Sequence, residues 1–355
     1  MGIAVYSLDF GLATVHLDCR PLADHEVVRR ALAFFGSHAT VSASAEVPDQ
    51  PAEAVLRCAE WEAVPAGWRA AATTAVTIRR SSAAAFNLHG LRGHVDGADV
   101  VVCQDTTTAL RLRDGVRSAD LYLGSASFVQ LVEFVRDIVL KAAERTGAVQ
   151  VHAACAARDG KAVAIVGAKG AGKSTMLLDL VGRHGFRLVS GDKILVERTD
   201  EGLTVRGWPD FPHLGVGTIV GHPALAAEVA ALGHDLDAAE PQRKLLLDPE
   251  VLERAFGLTY QPGAVPLSAV VLPEVARGGA GELSVLAHPD LDEVMRHVER
   301  TADNRWMSWH AFRTSVPADV SGRAEAAVRA GLARLDWWRS TGRAPYPGAD
   351  KLVSA

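Results

Sequence analysis

Cysteine is scarce and scattered. Cys19, Cys58, Cys103 and Cys155 are the only four in 355 residues, and no two of them form a Cys-x-x-Cys pair. That spacing argues against a disulfide framework and against a zinc site, leaving buried free thiols as the reading. Long runs of one charge sign are also missing, and Lys+Arg 37 against Asp+Glu 42 gives a net charge of −5. The electrostatic footprint of a nucleic-acid binder is therefore absent. Long apolar runs are lacking too: Phe128–Val139 is interrupted by Gln130, Glu133, Arg136 and Asp137 and falls short of the roughly 20 residues a bilayer span requires. The opening Met1-Gly2-Ile3-Ala4-Val5-Tyr6-Ser7 has no basic stretch, and Tyr6 stands where a myristoylation signal wants Ser or Thr. A cytoplasmic protein without membrane or nucleic-acid partners is the expectation.

What is present is the composition of a globular protein, 48% hydrophobic and 22% charged. Single cores stop growing at roughly 250–300 residues, so two domains are expected. Residues 1–120 alternate short apolar stretches (Thr14–Leu17, Ala75–Ile78, Val100–Cys103) with turn signals such as Arg113-Asp114-Gly115. They read as a β-rich domain with one helix near Asp24–Phe35 and a role in acceptor recognition. From Ser127 the pattern turns helical, with Phe128, Leu131, Val132, Val135, Ile138, Val139 and Ala142 on one face, Ser127 and Gln130 as a capping box, and Gly147 as a stop. Residues 121–355 are assigned to a second, α/β domain. Its later part is read as a loop at Gly207–Gly217 and helical segments at Leu291–Asp303 and Ala318–Trp338.

The second domain carries the chemistry. Val149–Ala154 and Ala162–Val166 read as strands joined by the turn Arg158-Asp159-Gly160-Lys161. Gly167-Ala168-Lys169-Gly170-Ala171-Gly172-Lys173-Ser174 follows, then a helix over about Lys173–Arg183 closed by Gly185, and the strand Phe186–Val189. Glycines at this spacing let backbone N–H groups turn inward around phosphate oxygens, and the helix adds its positive dipole end. Lys173 would reach the β- and γ-phosphates and the Ser174 hydroxyl would ligate Mg²⁺, with Thr175 completing the nucleotide-binding stretch. The bland alternative is a strand-to-helix turn that carries Lys-Ser by chance; the full motif and its flanks argue against it. A dinucleotide fold is set aside, because the glycines are not in Gly-x-Gly-x-x-Gly spacing.

Asp192, in Ser190-Gly191-Asp192-Lys193 directly after a strand, is a candidate Mg²⁺ ligand or base, against the alternative of a turn aspartate. His152, in the strand before the glycine loop, could approach the γ-phosphate or orient the acceptor, though a lone His in an apolar strand is more often a core residue. Arg243 and Lys244 could clamp transferring phosphate, against the reading of an exposed basic pair. Arg305 and Trp306 are weaker candidates.

The order Val151-His152-Ala153-Ala154, glycine loop, Arg187-Leu188-Val189-Ser190-Gly191-Asp192 resembles the catalytic core of HPr kinase/phosphorylase, whose nucleotide fold is shared with phosphoenolpyruvate carboxykinase. The likeness covers about Ser127–Asp210, with a weaker continuation to Lys244. It implies ATP and Mg²⁺ as ligands, His152 near the phosphate, Lys173 and Ser174 as the P-loop pair, and Asp192 as the second of two consecutive aspartates. Gly191 replaces the first of that pair, which bears on the phosphorylase reaction and on the identity of the base, and Thr175 replaces a usual glutamate. Residues 1–120 do not resemble the family's regulatory domain. Trp208-Pro209-Asp210-Phe211-Pro212 instead resembles a loop of the HPr-kinase-related proteins of natural-product pathways, some of which phosphorylate a peptide serine and some a small-molecule hydroxyl. The expectation is a kinase, compatible with a homo-oligomer, acting on such a hydroxyl. The alternative is an ATP-binding recognition module without transfer, and a plain ATPase ranks last.

Overall fold

The computed structural model describes residues 4–22, 24–79, 87–112, 117–237, 239–257, 260–275, 279–303 and 316–354. The Arg113-Asp114-Gly115 turn and the Arg305-Trp306 pair lie outside them. The protein is mixed α/β, built from two compact units, Met1–Thr146 with Arg300–Ser321, and Gly147–Glu299 with Gly322–Ala355. Among the described residues no helix is long and apolar enough to cross a membrane, and all four cysteines are free and buried.

In the first unit the strands are β1 (Val5–Asp9), β2 (Thr14–Asp18), β3 (Thr40–Ser44), β4 (Ala54–Glu60), β5 (Thr74–Arg79), β6 (Leu88–Val95), β7 (Ala98–Cys103), β8 (Thr108–Leu112) and β9 (Ser118–Leu123). They form one mixed sheet in the order β3-β1-β2-β4-β9-β8-β7-β6-β5. Helix α1 (Glu26–Gly36) buries Val27, Val28, Ala31, Phe34 and Phe35, a stripe at helical spacing, and the His25 ring accepts from the Val27 N–H as its cap. Helix α2 (Ala66–Ala71) buries Trp68. The helix expected after Ser127 is α3 (Phe128–Arg145).

The sequence reading divides the chain near residue 120, whereas the units divide at Thr146. The reason is packing: Phe128 of α3 meets Phe34 of α1 edge to face at 6.1 Å, so α3 closes the core of the first unit. The later segment also returns there. The Thr301 N–H donates to Glu144 of α3 at 2.6 Å and its hydroxyl donates to the same carboxylate, so the second unit is not one continuous stretch.

The second unit begins with β10 (Val149–Arg158) and β11 (Lys161–Val166), which form a hairpin. Asp159 and Gly160 at its tip have φ of 53° and 75°, the left-handed pair that a two-residue turn demands. Helix α4 (Lys173–His184) follows, then β12 (Arg187–Ser190), β13 (Lys193–Thr199), β14 (Gly202–Gly207), β15 (His213–Gly215), α5 (Val216–Val220) and α6 (Pro223–Ala231). The rest comprises β16 (Lys244–Leu246), α7 (Pro249–Phe256), β17 (Val265–Glu274), β18 (Glu282–Val285), α8 (Leu291–Met295), β19 (Val298–Glu299), α9 (Ala318–Leu332) from Gly322 onward and β20 (Asp336–Thr341). The main sheet runs β11-β10-β13-β14-β17-β20-β18, and β11 also pairs with β17 in parallel, so β11, β10, β13, β14 and β17 close on themselves.

Strand β10 is apolar on both faces. Val149, Val151, Ala153, Cys155 and Ala157 enter one core with Ile194, Val205 and Val270, while Ala154 and Ala156 enter the other with Met176, Leu177 and Leu180 of α4. Continuous small apolar residues suit a strand buried on both sides. Two expectations fail nearby. The helix read over Leu291–Asp303 stops at Met295, because Val298 and Glu299 pair with Val151 and Gln150 of β10. The helix read to Trp338 stops at Leu332, because Trp337 and Trp338 belong to β20 beside β17. In both cases β pairing overrides local helix propensity.

Helix α4 is anchored by a fully buried carboxylate. Asp179 accepts from Arg183 at 2.8 Å and from the Tyr346 N–H at 2.9 Å, and lies 3.2 Å from His184 Nε2. Removing it strands a buried N–H and an arginine. Asp179→Ala is expected to lower stability by about 2–3 kcal/mol, read as a drop in the urea midpoint; an unchanged midpoint would refute the anchoring role.

Candidate functional site

The glycine loop lies between the end of β11 and the start of α4. Within it the Ala171 N–H donates to Ala168 O at 3.1 Å, and the Val275 N–H, just beyond β17, donates to Ala171 O at 3.0 Å. Gly172 is the N-cap of α4 at φ 114° and supplies no side-chain acceptor, so the first-turn N–H groups of Lys173, Ser174 and Thr175 have no side-chain cap and suit an anion. A Cβ on Gly172 would sit 2.1 Å from Val275 Cγ2. Gly170 is also left-handed, at φ 87°, but faces open space, and a Cβ on Gly167 would meet Ala171 Cβ at 3.2 Å. The glycines thus answer two separate constraints, backbone hand and contact with the end of β17.

Lys173 folds back on its own loop, Nζ donating to Gly167 O at 2.6 Å and to Ala168 O at 3.4 Å. Burial lowers its pKa, Asp192 opposes that shift and Lys244 adds to it. Lys173, Asp192 and Lys244 therefore share one electrostatic environment. His213 joins them: burial lowers its pKa, Lys244 and Lys169 lower it further, and Asp192 opposes. Thr175 Oγ1 lies 3.1 Å from Thr218 Oγ1 in the middle of α5, and Ser174 is half-buried one position after Lys173.

Topology brings His152 and Asp192 together. Strand β12 pairs with the second half of β10 and β13 with its first half, with Cys155 opposite Ser190 and His152 opposite Lys193. Gly191 and Asp192 form the crossing between them, braced by Ser190 Oγ, which donates to Trp208 O and accepts from the Lys193 N–H, both at 3.3 Å. His152 shares a face of β10 with Ala154 and Ala156, the face that α4 covers. Its Nε2 is 3.5 Å from Asp192 Oδ1 and its Nδ1 is 3.5 Å from Glu299 Oε1. It is a half-buried residue between two carboxylates rather than an apolar core histidine.

Three participants escaped the sequence reading. Glu299 arrives on the two-residue β19, too short to show periodicity. Lys193, next to Asp192 in sequence, pairs with Glu299. His213 lies in what reads as the Gly207–Gly217 loop, where β15 pairs with β16; that pairing sets Gly215 opposite Lys244 and carries Lys244 toward the site. Arg243 goes elsewhere. Its guanidinium meets Glu240 at 3.1 Å and Asp235 O at 2.6 Å, so the basic doublet splits into a local brace and a site lysine.

Among the described residues no group of three or more His, Cys, Asp and Glu side chains could hold a metal ion. His152, Asp192 and Glu299 do not converge, because the carboxylates approach opposite ring nitrogens. The oxygens of Ser174 and Asp192 are of the kind Mg²⁺ takes, one or two from protein with the rest of its shell from phosphate and water.

No protein-family model matches the chain, and no curated protein matches it.

The glycines yield a graded expectation. Gly172→Ala should cost about 1–3 kcal/mol through its backbone hand alone, with further loss from the Val275 clash. Gly191→Ala, where a Cβ meets nothing within 4 Å, should be as stable as the parent. Urea unfolding reads both, and equal midpoints for the two variants would refute this account of the loop.

Proposed function

We propose that the protein is a Mg²⁺–ATP-dependent kinase of the HPr kinase/phosphoenolpyruvate carboxykinase-like type, transferring the γ-phosphate to a hydroxyl of a small molecule or a peptide or protein serine. The observation that carries this reading is a full glycine loop whose Lys173 lies in the field of Asp192, itself 3.5 Å from His152 Nε2. Phosphoryl transfer through a loose transition state needs positioning and charge stabilisation more than covalent chemistry, and both are on hand. Backbone N–H groups of Gly167–Ser174 would bind the phosphate oxygens, and Lys173 would exchange its bonds to Gly167 O and Ala168 O for bonds to the β- and γ-phosphates. Lys244 and Lys169 supply further positive charge. Mg²⁺, held by Ser174 and Asp192, would neutralise phosphate charge.

In the transfer, the bond from the γ-phosphorus to the β,γ-bridging oxygen breaks, and its electron pair leaves with ADP. A bond from the acceptor oxygen to phosphorus forms, and the acceptor proton passes to His152 Nε2 or to Asp192. The cytoplasm is the proposed setting. Gly191 supports a second reading, an ATP-binding recognition module without transfer, since one carboxylate of the aspartate pair is missing.

Incubation with labelled ATP and candidate serine peptides or hydroxylated metabolites, followed by a search for a phosphate mass shift, separates the two. Lys173→Ala should lower transfer by on the order of 10²–10³-fold with the thermal melt preserved. Tight ATP binding with no phosphorylated product and no ADP from any acceptor would favour the recognition module.

A further inference from the structure

Glu299 has no place in the motif order that suggests a kinase, yet Gln150, Lys193 and His152 all meet its carboxylate. Its backbone is fixed by pairing with Gln150, while the His152 N–H donates to His297 O at 2.8 Å. Its Oε2 accepts from the buried Gln150 Nε2 at 2.6 Å and from the Lys193 ammonium. The remaining oxygen, Oε1, is left to face His152 Nδ1 at 3.5 Å. Both donors occupy one side of the carboxylate, so the other side can only present an acceptor to the imidazole.

We infer that Glu299 is the positioning residue for His152, holding the ring in the Nδ1–H tautomer and turning the Nε2 lone pair toward Asp192 and the reacting acceptor. This rests on the kinase reading, and it deepens it. Gly191 offers no carboxylate beside Asp192, and the second carboxylate facing His152 comes from a distant strand. It acts through the histidine rather than beside Asp192, because His152 stands between them. An acceptor hydroxyl approaching the 3.5 Å gap between Nε2 and Asp192 Oδ1 meets two acceptors, either of which can take its proton. In the Nε2–H tautomer the ring would instead donate to Asp192, and that gap would hold no free lone pair on nitrogen.

The chemistry of the amide makes a sharp test. In Glu299→Gln the amide oxygen must stay on the side of Gln150 and Lys193, since both donate there. The NH₂ then faces His152 Nδ1, which must accept, moving the ring proton to Nε2. Nitrogen-15 NMR of histidine-labelled protein, recorded with imidazole neutral, distinguishes the tautomers, and His152→Gln identifies the resonances among the 13 histidines. The expected result is Nδ1–H in the parent and Nε2–H in Glu299→Gln. ADP formation from Mg²⁺–ATP should show kcat lowered by on the order of 10²-fold with KM for ATP within about twofold. Glu299→Asp, which keeps a carboxylate, should retain the parent tautomer and recover part of the turnover, and it serves in place of Glu299→Gln as the ring probe if the amide variant unfolds. A parent-like tautomer in Glu299→Gln, an Nε2–H tautomer in the parent or in Glu299→Asp, or a flipped tautomer with unchanged kcat would each overturn the inference. The NMR arm needs no nucleotide, so it decides the positioning role even if Lys173→Ala shows the kinase reading to be wrong.

Discussion

Everything in the second unit hangs on the pairing of β10. It bonds to β11 and β19 along one edge and to β12 and β13 along the other, while both faces are buried. A strand in that position has no solvent side to carry its polar groups, so its interior is mostly alanine and valine. Alanine does more than avoid polarity here: Ala154 and Ala156 let α4 close directly over the sheet, which fixes where the glycine loop ends. His152 is tolerated because it stands where that face gives way to the Asp192 crossing, and its polarity is met from both sides by carboxylates.

The glycine loop is held by contacts outside the motif. Val275 donates to Ala171 O and packs where any Cβ on Gly172 would lie, and Pro273 borders Gly167. The end of β17 therefore shapes the loop as much as its own sequence does. Since β17 also pairs in parallel with β11, the strand that leads into the loop and the strand that braces it are hydrogen-bonded to each other. The loop conformation is then a property of the closed set of strands, not a local choice that could relax when one residue changes.

Legibility followed locality. The Asp159-Gly160 turn, helix α1 and helix α3 rest on interactions within a few residues, and each could be read directly; the glycine loop and Asp192 are legible as residues in a motif, although contacts with the end of β17 hold the loop in shape. What depended on distant pairing could not. Helix α3 looks like the first element of the second domain until Phe34 is seen against Phe128. Residues Leu291–Asp303 have helical composition throughout, and only the demand of Gln150 and Val151 for backbone partners turns Val298 and Glu299 into a strand. Glu299 was invisible for that reason, since a two-residue strand has no period to detect. The Arg243-Lys244 pair was visible but ambiguous, because its division into brace and site residue depends on Asp235, Glu240 and the β15–β16 register.

The distribution of charge narrows what the site can hold. The chain as a whole carries −5, yet Lys169, Lys173, Lys193 and Lys244 gather around the loop and the His152–Asp192 pair. They are not equivalent. Lys193 is committed to Glu299, whose pKa burial would raise but whose contacts with His152 and Lys193 outweigh that and hold it far below the ordinary carboxylate range. That pair is internally neutral and adds little field. Lys173, Lys244 and Lys169 are set against Asp192; burial first, and then the charge of Lys244, lowers the pKa values of Lys173 and His213, with Asp192 opposing. Such an excess of positive charge costs stability in the protein alone and is relieved by a polyanion. Three lysines set against one carboxylate leave about two positive charges, which a phosphate group carrying roughly −1.5 to −2 offsets, so the charge suits a phosphate-bearing ligand.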